Sequence, residues 1–154
     1  MFKKPDLFGK KKIKPDEITI EHIKEIPPAA VQSLYLSVGW QYRDVRDIKK
    51  SCKKSVLVTT AWHDKSLIGI ARATGDGVFN ATIWDVAVKP SCQNQGIGRL
   101  IIKSMLTKLD DYGIPLITLY TRNSKKNFYG KLGFESTDDK IIGMYRYTND
   151  KKKR

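Results

Sequence analysis

The stretch Asp85-Val-Ala-Val-Lys-Pro-Ser-Cys-Gln-Asn-Gln-Gly-Ile-Gly-Arg99 combines the pattern of a strand, a loop and the start of a helix. Its β-branched beginning predicts a strand, Pro90 ends that strand, and Gly96 and Gly98 lead into an amphipathic segment. The first main-chain N–H groups of a helix have no partner within it and carry the positive end of the helix dipole. The stretch therefore predicts a site for a phosphate-bearing cofactor.

Two common phosphate-binding loops do not fit this stretch. A P-loop requires Lys and then Ser or Thr directly after its second glycine, whereas Arg99 and Leu100 follow Gly98. A dinucleotide-binding loop requires a third glycine three residues after the second, and Ile101 stands there. The pattern that remains is Gln93-x-x-Gly96-x-Gly98 behind a strand.

That pattern resembles motif A of the GNAT superfamily, the acetyl-CoA-dependent N-acetyltransferases. The resemblance implies acetyl-CoA as cosubstrate and no metal ion. In this family the preceding strand pairs with the pantetheine amides like an added strand and offers an N–H to the reacting carbonyl, here through Val86, Ala87 and Val88. The family's loop holds the CoA pyrophosphate, which implies the following residues here: Gln93, Asn94, Gln95, Gly96, Ile97, Gly98 and Arg99.

A second segment, Asn123-Ser-Lys-Lys-Asn-Phe-Tyr-Gly-Lys-Leu-Gly-Phe134, resembles motif B of the same family, in which an asparagine precedes a tyrosine by six positions. The resemblance implies that Tyr129 protonates the departing sulfur of CoA and that Asn123 belongs to the cofactor site. In the alternative interpretation, Tyr129 packs a helix against the sheet and Asn123 caps that helix. Lys126 stands where the family often has alanine, and it either contacts the cofactor phosphates or faces solvent.

Two further segments, Ala81-Thr-Ile-Trp-Asp-Val86 and Gly143-Met-Tyr145, resemble the plastid branch of the superfamily. Members of this branch are encoded in algal plastids or imported in land plants, and the plant members include serotonin and protein-lysine acetyltransferases. The resemblance implies a location in the plastid stroma, with a bacterial-type cytoplasm as the alternative.

The hydrophobic patterns predict one α/β (α+β) domain with a mixed, mostly antiparallel sheet flanked by helices. The predicted order, β-α-α-β-β-β-α-β-α-β-β, is the order that the GNAT fold requires. The predicted strands are residues 17–24, 56–62, 67–74, 78–88, 116–120, 134–136 and 142–147, and the predicted helices are residues 29–38, 45–48, 100–109 and 124–132.

Length and composition agree with a single domain. The 154 residues, 40% of them hydrophobic, fit one GNAT domain over residues 16–148 between basic tails at 1–15 and 149–154. No apolar run approaches the roughly 20 residues of a membrane helix, and the first residues lack the apolar core of a signal peptide. We therefore expect an intracellular, soluble monomer or homodimer. Cys52 and Cys92 have no metal-ligand spacing and are expected to be free thiols.

The net charge of +13 is concentrated at the two ends of the chain. Residues 1–15 carry +5 and residues 149–154 carry +3, which leaves +5 for the domain between them. Runs of like charge normally stay solvated and mobile. The alternative function of these tails is a weak attraction to nucleic acid, ribosomes or anionic lipid.

Acetyl transfer to an ammonium group requires that the nucleophile lose a proton. Asp85 is the candidate base because it precedes the cofactor-binding strand segment and, in an apolar strand, needs a partner. A structural aspartate, or a relay of water molecules to bulk solvent, remains an alternative. His22 and His63 lie in no motif, and no Ser/His/Asp arrangement indicates an acyl-enzyme. Direct transfer in a ternary complex is therefore expected.

The acceptor is a primary amine whose identity the sequence leaves open. It is either an arylalkylamine such as serotonin or a lysine side chain or N-terminus of a protein. Four aromatic residues are candidates for stacking on such an amine, or else for covering the core: Trp40, Tyr42, Tyr145 and Tyr147. A different class of function also remains, a basic module that senses acetyl-CoA or binds nucleic acid without catalysis.

Overall fold

The computed structural model describes residues 12–137 and 141–147. The described residues up to Tyr120 form one compact unit, and those from Thr121 onward form another. The first unit contains, in chain order, β1 (Thr19–His22), α1 (Pro28–Ser37), α2 (Val45–Lys54), β2 (Leu57–His63), β3 (Ser66–Gly75), β4 (Asn80–Val88), α3 (Ile97–Asp111) and β5 (Leu116–Leu119). The second unit contains α4 (Lys126–Gly130).

The strands form one sheet in the order β1-β2-β3-β4-β5. The pairs from β1 to β4 are antiparallel, whereas β4 and β5 are parallel. A parallel pair needs a crossover connection, and α3 supplies it. The predicted mixed, mostly antiparallel sheet is confirmed.

Helices cover both faces of this sheet. Gly69 of β3 faces α3 so closely that an added Cβ would lie 2.5 Å from Ile101 Cδ1. The next residue, Ile70, is buried in a cluster with Val31 and Leu34 of α1. Because successive strand residues point to opposite faces, α3 lies on one side of the sheet and α1 on the other, with α2 packed beside α1. The second face, with α1 and α2, carries the polar groups described below.

The long strand predicted from Val78 begins two residues later, at Asn80. Asp76 accepts hydrogen bonds from the main-chain N–H groups of Val78, Phe79 and Asn80, at 2.8, 2.8 and 3.1 Å. These bonds lower the pKa of Asp76 and hold the residues before Asn80 in a turn. A carboxylate that captures several amides therefore competes with the strand for this segment.

The two strands predicted at the C-terminal end are wrong. Neither residues 134–136 nor residues 142–147 form a strand in the described part of the chain. Ile142, Met144 and Tyr145 are exposed there. A strand needs a partner for its main-chain groups as well as a suitable side-chain pattern. The side-chain pattern alone therefore predicted strands that do not form here. The helix predicted over 124–132 is also shorter, a 3-10 turn at Asn123–Lys125 followed by α4.

Several other expectations have a structural outcome. Cys52 and Cys92 are buried free thiols, as predicted. No helix among the described residues is long and apolar enough to cross a membrane. The tail predicted at 149–154, like most of the tail predicted at 1–15, lies outside the described residues.

Candidate functional site

The sheet opens between β4 and β5 in the middle of β4. β5 pairs with β4 only from Asn80 to Ile83, whereas β3 pairs with β4 as far as Val88. Beyond Ile83, within the described residues, β4 therefore has no strand neighbour on the β5 side. No described strand pairs with residues 86–88 on that side, so an extended chain of amides could pair there; among these residues, the Val88 carbonyl accepts a hydrogen bond from Gln93 Nε2. This arrangement fits the predicted role of Val86, Ala87 and Val88 toward pantetheine.

A β-bulge lies at the start of this opening. Arg72 pairs with Trp84 and Ile70 pairs with Ala87, so β4 has one residue more than β3 between these pairs. Asp85 lies within the bulge and has a φ of +53°, in the left-handed region that non-glycine residues rarely adopt. Bulges change the direction of side chains, and this one brings the Asp85 carboxylate to the guanidinium of Arg72.

Three donors converge on one oxygen of Asp85. Its Oδ2 accepts hydrogen bonds from Arg72 Nε at 2.7 Å, Arg43 Nη1 at 3.1 Å and the Tyr35 hydroxyl at 3.3 Å. The side chains of Asp85 and Arg72 are only 11% and 12% exposed. Two charge-assisted hydrogen bonds from guanidinium groups therefore fix the orientation of this carboxylate. Asp85 Oδ1 accepts no hydrogen bond from the described residues, which leaves it open to a ligand.

Arg72 is held from its other side by α2. Its Nη1 donates to Ser55 Oγ at 2.9 Å and to the Ser51 carbonyl at 3.4 Å. Burial would lower the pKa of the Arg72 guanidinium, but attraction to Asp85 outweighs this effect and raises it. Arg72 therefore stays charged and fixes the orientation of Asp85.

Tyr35 and Arg43 form the outer part of the same network. Burial, together with the negative charge of Asp85, raises the pKa of Tyr35, so its hydroxyl remains a donor. The Arg43 guanidinium lies over the rings of Tyr35 and Trp40, at 5.0 and 5.6 Å from their centroids, and is 44% exposed. Of the predicted acceptor aromatics, Trp40 thus packs within this network and Tyr42 is exposed.

An aromatic pair that sequence reasoning missed lies beside Asp85. The rings of Trp84 and Tyr120 are 5.6 Å apart and tilted by 33°. Both side chains are exposed, by 43% and 67%. Trp84 immediately precedes the bulge, and Tyr120 immediately follows β5, so the pair stands at the opening between the two strands. The sequence did contain one indication of this pair, the tryptophan directly before the candidate aspartate.

The predicted phosphate loop joins β4 to α3. Gly96 is the N-cap of α3 with a φ of +81°, and the first helical hydrogen bond runs from Leu100 N to the Gly96 carbonyl. The main-chain N–H groups of Ile97, Gly98 and Arg99 donate to no acceptor in the described part of the chain. These amides fit a diphosphate, because nothing within the helix satisfies them. The Ile97 side chain itself is buried, so only its amide can serve this role.

The side chains of the loop hold its shape. Gln93 Nε2 donates to the Val88 carbonyl at 2.9 Å and ties the loop to the end of β4. Gln95 Nε2 donates to the Ser91 carbonyl at 3.3 Å. Asn94 has a φ of +63° and is exposed. The predicted residues from Gln93 to Arg99 therefore lie together at the N-terminus of α3.

Replacing Gly96 with alanine is expected to weaken the binding of acetyl-CoA about tenfold. The substitution forces a Cβ into left-handed backbone, which costs about 1–2 kcal/mol, and places a methyl group beside the free amides. Gly113→Ala is the matched control, because Gly113 also has a positive φ, of +71°, and open space around it, at the other end of α3. Both variants should lower the melting temperature, but only Gly96→Ala should raise the Kd measured by calorimetry; equal Kd values would contradict the loop assignment.

Tyr129, Asn123 and Lys126 lie in the second unit. The Tyr129 ring packs edge-to-face against Phe128 and Phe134, at 4.9 and 5.9 Å between centroids, and burial raises the pKa of its hydroxyl. That hydroxyl forms no hydrogen bond with any described residue, so the ring has a packing role and the hydroxyl is available. The side chain of Asn123 does not cap α4; its carbonyl accepts from the Lys126 N–H instead.

No metal centre is formed by the described residues, which contain no cluster of three or more His, Cys, Asp or Glu side chains. His22 instead joins β1 to its neighbours, since its two ring nitrogens lie 3.1 Å from Thr59 Oγ1 and 3.0 Å from Ser104 Oγ. His63 lies 3.6 Å from the carboxylate of Asp64. These contacts of the two histidines therefore do not involve Asp85.

Comparison with protein families gives a match to the acetyltransferase (GNAT) family over residues 22–134. This range includes the strand opening, the Asp85 bulge, the loop before α3 and Tyr129.

Three relatives are each more than one third identical in sequence to this chain over the aligned residues. An uncharacterized N-acetyltransferase, ycf52, of Pyropia yezoensis is 36% identical over 88% of this chain and 80% of its own length. Histone acetyltransferase TAP1 of Glycine max is 38% identical over 77% of this chain and 56% of its own length. The chloroplastic serotonin N-acetyltransferase 2 of Oryza sativa subsp. japonica is 35% identical over 77% of this chain and 61% of its own length.

Among solved structures, a GNAT family acetyltransferase from Streptococcus pneumoniae superposes with a TM-score of 0.75. The two sequences are 27% identical, and the alignment covers 86% of this chain and 98% of that protein.

Proposed function

Since the chain belongs to the acetyltransferase (GNAT) family and is an N-acetyltransferase, we propose that it transfers the acetyl group of acetyl-CoA directly to an aromatic primary amine. The observation that carries the proposal is the opening between β4 and β5. Along one wall residues 86–88 have no described strand beside them, and Trp84, Asp85 and Tyr120 lie at its start. The expected arrangement is a ternary complex, because no serine or cysteine nucleophile with an adjacent base is present among the described residues at this site.

The cofactor-holding groups are main-chain amides. The N–H groups of Ile97, Gly98 and Arg99 would hold the diphosphate, and the free side of residues 86–88 would pair with pantetheine. These groups are fixed by the fold before the cofactor binds, so their orientation costs little when it does. An N–H of the same strand segment would stabilise the carbonyl oxygen as charge develops on it.

Asp85 is proposed to receive the ammonium group of the acceptor on Oδ1. The two arginines occupy Oδ2 with charge-assisted hydrogen bonds and leave Oδ1 for the ammonium group. Because this arrangement uses the carboxylate to hold a cation, we favour release of the proton through water to bulk solvent. Arg43, half exposed at the same place, adds positive charge that favours the neutral amine required for attack.

Tyr129 is proposed as the acid that protonates the sulfur of CoA. Its place in motif B supports this role, and so does a hydroxyl that the packing of the second unit leaves without a hydrogen bond to any described residue. The ordinary pKa of a phenol is near 10 and that of a thiol is near 8.5, about 1.5 units lower, so geometry rather than acidity must direct the proton. The role of Asn123 in the cofactor site rests on the same motif.

An arylalkylamine is the favoured acceptor. The Trp84 and Tyr120 rings offer an exposed aromatic surface beside a carboxylate, which matches a molecule with a ring at one end and an ammonium at the other. The relatives differ in their named acceptors, since one is a serotonin acetyltransferase and another a histone acetyltransferase. A lysine side chain has an ammonium group but no ring, so it would not use the aromatic surface of Trp84 and Tyr120.

Replacing Trp84 with alanine is expected to raise KM for an arylalkylamine about two- to twelvefold and to leave KM for a lysine peptide unchanged, because one stacking contact is worth about 0.5–1.5 kcal/mol. Phe79→Ala is the matched control, since Phe79 is an exposed aromatic residue just before the same strand. Steady-state kinetics with both amines measure the effect. Equal loss on both amines would contradict a stacking role.

The experiment that tests the function is incubation with acetyl-CoA and a panel of aromatic amines, polyamines and lysine peptides, followed by mass spectrometry. Acetylation of an aromatic amine in preference to the others supports the proposal, and preferred acetylation of peptides would transfer the assignment to protein lysines. Failure to bind acetyl-CoA would overturn it. Salt-sensitive RNA retention without acetyl transfer would favour the basic binding module.

A plastid location is proposed on the strength of the chloroplastic relative and of the segment at Ala81–Val86. Fractionation of cells that express the chain natively, with detection by antibody, tests it directly. Enrichment in the cytosol instead of the stroma would contradict the location without affecting the activity.

A further inference from the structure

The end of the N-terminal basic segment lies against the cofactor loop. Lys12 lines a recess of about 300 Å³ whose other walls are Gln93, Asn94 and Gln95. This volume is about ten times the share of a water molecule in the liquid, so the recess has room for a phosphate group. The segment was predicted as part of a solvated tail, and its position at the loop follows only from the tertiary structure.

Two hydrogen bonds fix the course of the chain at this point. The Ile13 N–H donates to Gln95 Oε1 at 2.8 Å, across 82 positions in sequence. The Lys14 N–H donates to Glu17 Oε2 at 2.8 Å, at the start of the 3-10 turn Pro15–Glu17. Lys12 is therefore next to an anchored residue, and the position of its main chain is set relative to the loop.

Gln95 joins the segment to the loop in both directions. Its Oε1 accepts from Ile13, while its Nε2 donates to the Ser91 carbonyl within the loop. A glutamine with both ends of its amide engaged in this way fixes the distance between the segment and the loop.

Lys12 adds a positive charge beside a loop that has few charged side chains. Within the loop from Gln93 to Arg99 only Arg99 is charged, so a bound phosphate would meet main-chain dipoles and this one cation. Lys12 is exposed and forms no salt bridge with any described carboxylate. A lysine without an ion-pair partner, placed at the wall of a phosphate-sized recess, adds a second positive charge on the Gln93–Gln95 side of the loop.

We infer that Lys12 binds a phosphate of CoA and that Gln95 is a positioning residue that holds the Lys12 segment over the loop. The inference rests on the proposed function, because it assumes that CoA occupies the loop. The diphosphate and the 3′-phosphate of CoA have the same chemistry toward a lysine, and the test separates them.

The first test compares Lys12→Ala with Lys14→Ala. The control removes the same charge two residues away, from a side chain outside the recess. Calorimetry with CoA should show binding about fivefold weaker for Lys12→Ala and unchanged for Lys14→Ala, as expected for one partly solvated ion pair. The difference should shrink at 1 M salt, where the screening length falls to about 3 Å.

The second ligand in this test is dephospho-CoA, which lacks the 3′-phosphate. If Lys12 contacts the diphosphate, the fivefold loss persists with dephospho-CoA. If Lys12 contacts the 3′-phosphate, the loss disappears with dephospho-CoA. Either pattern supports the inference and identifies the group bound.

The role of Gln95 is tested by a double-mutant cycle. Gln95→Ala should weaken CoA binding, and adding Lys12→Ala to it should weaken binding by clearly less than fivefold more, because the segment is already released. Fully additive effects would overturn the positioning role.

The outcomes separate the inference from the function on which it rests. Unmodified protein that does not bind CoA would overturn both. Unmodified protein that binds CoA as tightly as Lys12→Ala does would overturn the inference alone.

Discussion

Replacing Tyr129 with phenylalanine is expected to lower the turnover number by about 10²- to 10⁴-fold, the usual contribution of one general acid. KM for acetyl-CoA should stay within about threefold of its original value, because the ring contacts with Phe128 and Phe134 do not involve the hydroxyl. Steady-state kinetics at several acetyl-CoA concentrations separate the two quantities.

The matched control is Tyr112→Phe, which removes a hydroxyl from a half-exposed tyrosine at the end of α3. It should leave both parameters unchanged. If Tyr129→Phe also retains full turnover, Tyr129 is a packing residue and not the acid. A large rise in KM with unchanged turnover would likewise contradict the assignment.

Tyr129 also leads to a prediction for the pH dependence of turnover. Burial raises the pKa of Tyr129 above its ordinary value near 10, so the hydroxyl stays protonated through neutral and mildly alkaline pH. Turnover should therefore show no loss from ionisation of this group below about pH 10. A tyrosine-dependent alkaline limb near pH 8, absent in Tyr129→Phe, would contradict this placement.

Replacing Asp85 with asparagine is expected to abolish most of the activity and to destabilise the fold by roughly 3 kcal/mol, because it leaves two guanidinium groups without their carboxylate. For a chain of this length that loss corresponds to a drop of about 6–12 °C in melting temperature. Arg72 carries most of the effect, since it is nearly buried and tied to α2 by Ser55. Chemical denaturation and steady-state kinetics measure the two results.

A matched control for the stability effect is Asp44→Asn. Asp44 also pairs with an arginine, Arg46, and has a pKa lowered to about 2, chiefly by that side-chain hydrogen bond. The pair is exposed, and asparagine still caps α2 through the bond to the Arg46 N–H, so little stability should be lost. Equal destabilisation by the two variants would show that the Asp85 network contributes no more to stability than the exposed Asp44–Arg46 pair.

A second variant, Arg43→Gln, distinguishes the two roles of Asp85 in activity. If Asp85 only binds the ammonium, as proposed, loss of the neighbouring arginine changes KM for the amine and leaves kcat nearly unchanged. If Asp85 accepts the proton in the chemical step, kcat itself changes. A change confined to kcat would restore Asp85 as the base.

Local patterns were sufficient for most of the fold. The hydrophobic pattern predicted a helix over residues 29–38, and α1 forms there with Val31, Leu34 and Tyr35 buried. The strand, loop and helix from Asp85 to Arg99 also formed as predicted, because proline and glycine determine backbone conformation locally. The C-terminal strands failed because a strand depends on a partner that the local pattern does not contain.

The candidate site divides in the same way. Residues Gln93 to Arg99 were identified from their spacing, since a loop at a helix N-terminus binds anions through its own main chain. The partners of Asp85 were not identified, because Arg43 and Arg72 lie 42 and 13 positions away in sequence. The aromatic pair of Trp84 and Tyr120 was missed for the same reason.

The sequence by itself determined the strand, loop and helix from Asp85 onward, the segment proposed to hold the cofactor, and it identified the motif that contains Tyr129. Each of these depends on neighbours within a few residues, where φ preferences and hydrophobic periodicity act. Only the tertiary structure decided what Asp85 faces and where Lys12 lies. A β-bulge turns Asp85 toward Arg72, and Gln95 binds Ile13 from the far end of the chain. Such contacts join residues that are distant in sequence, so they exist only in the folded chain and leave no local pattern in the sequence.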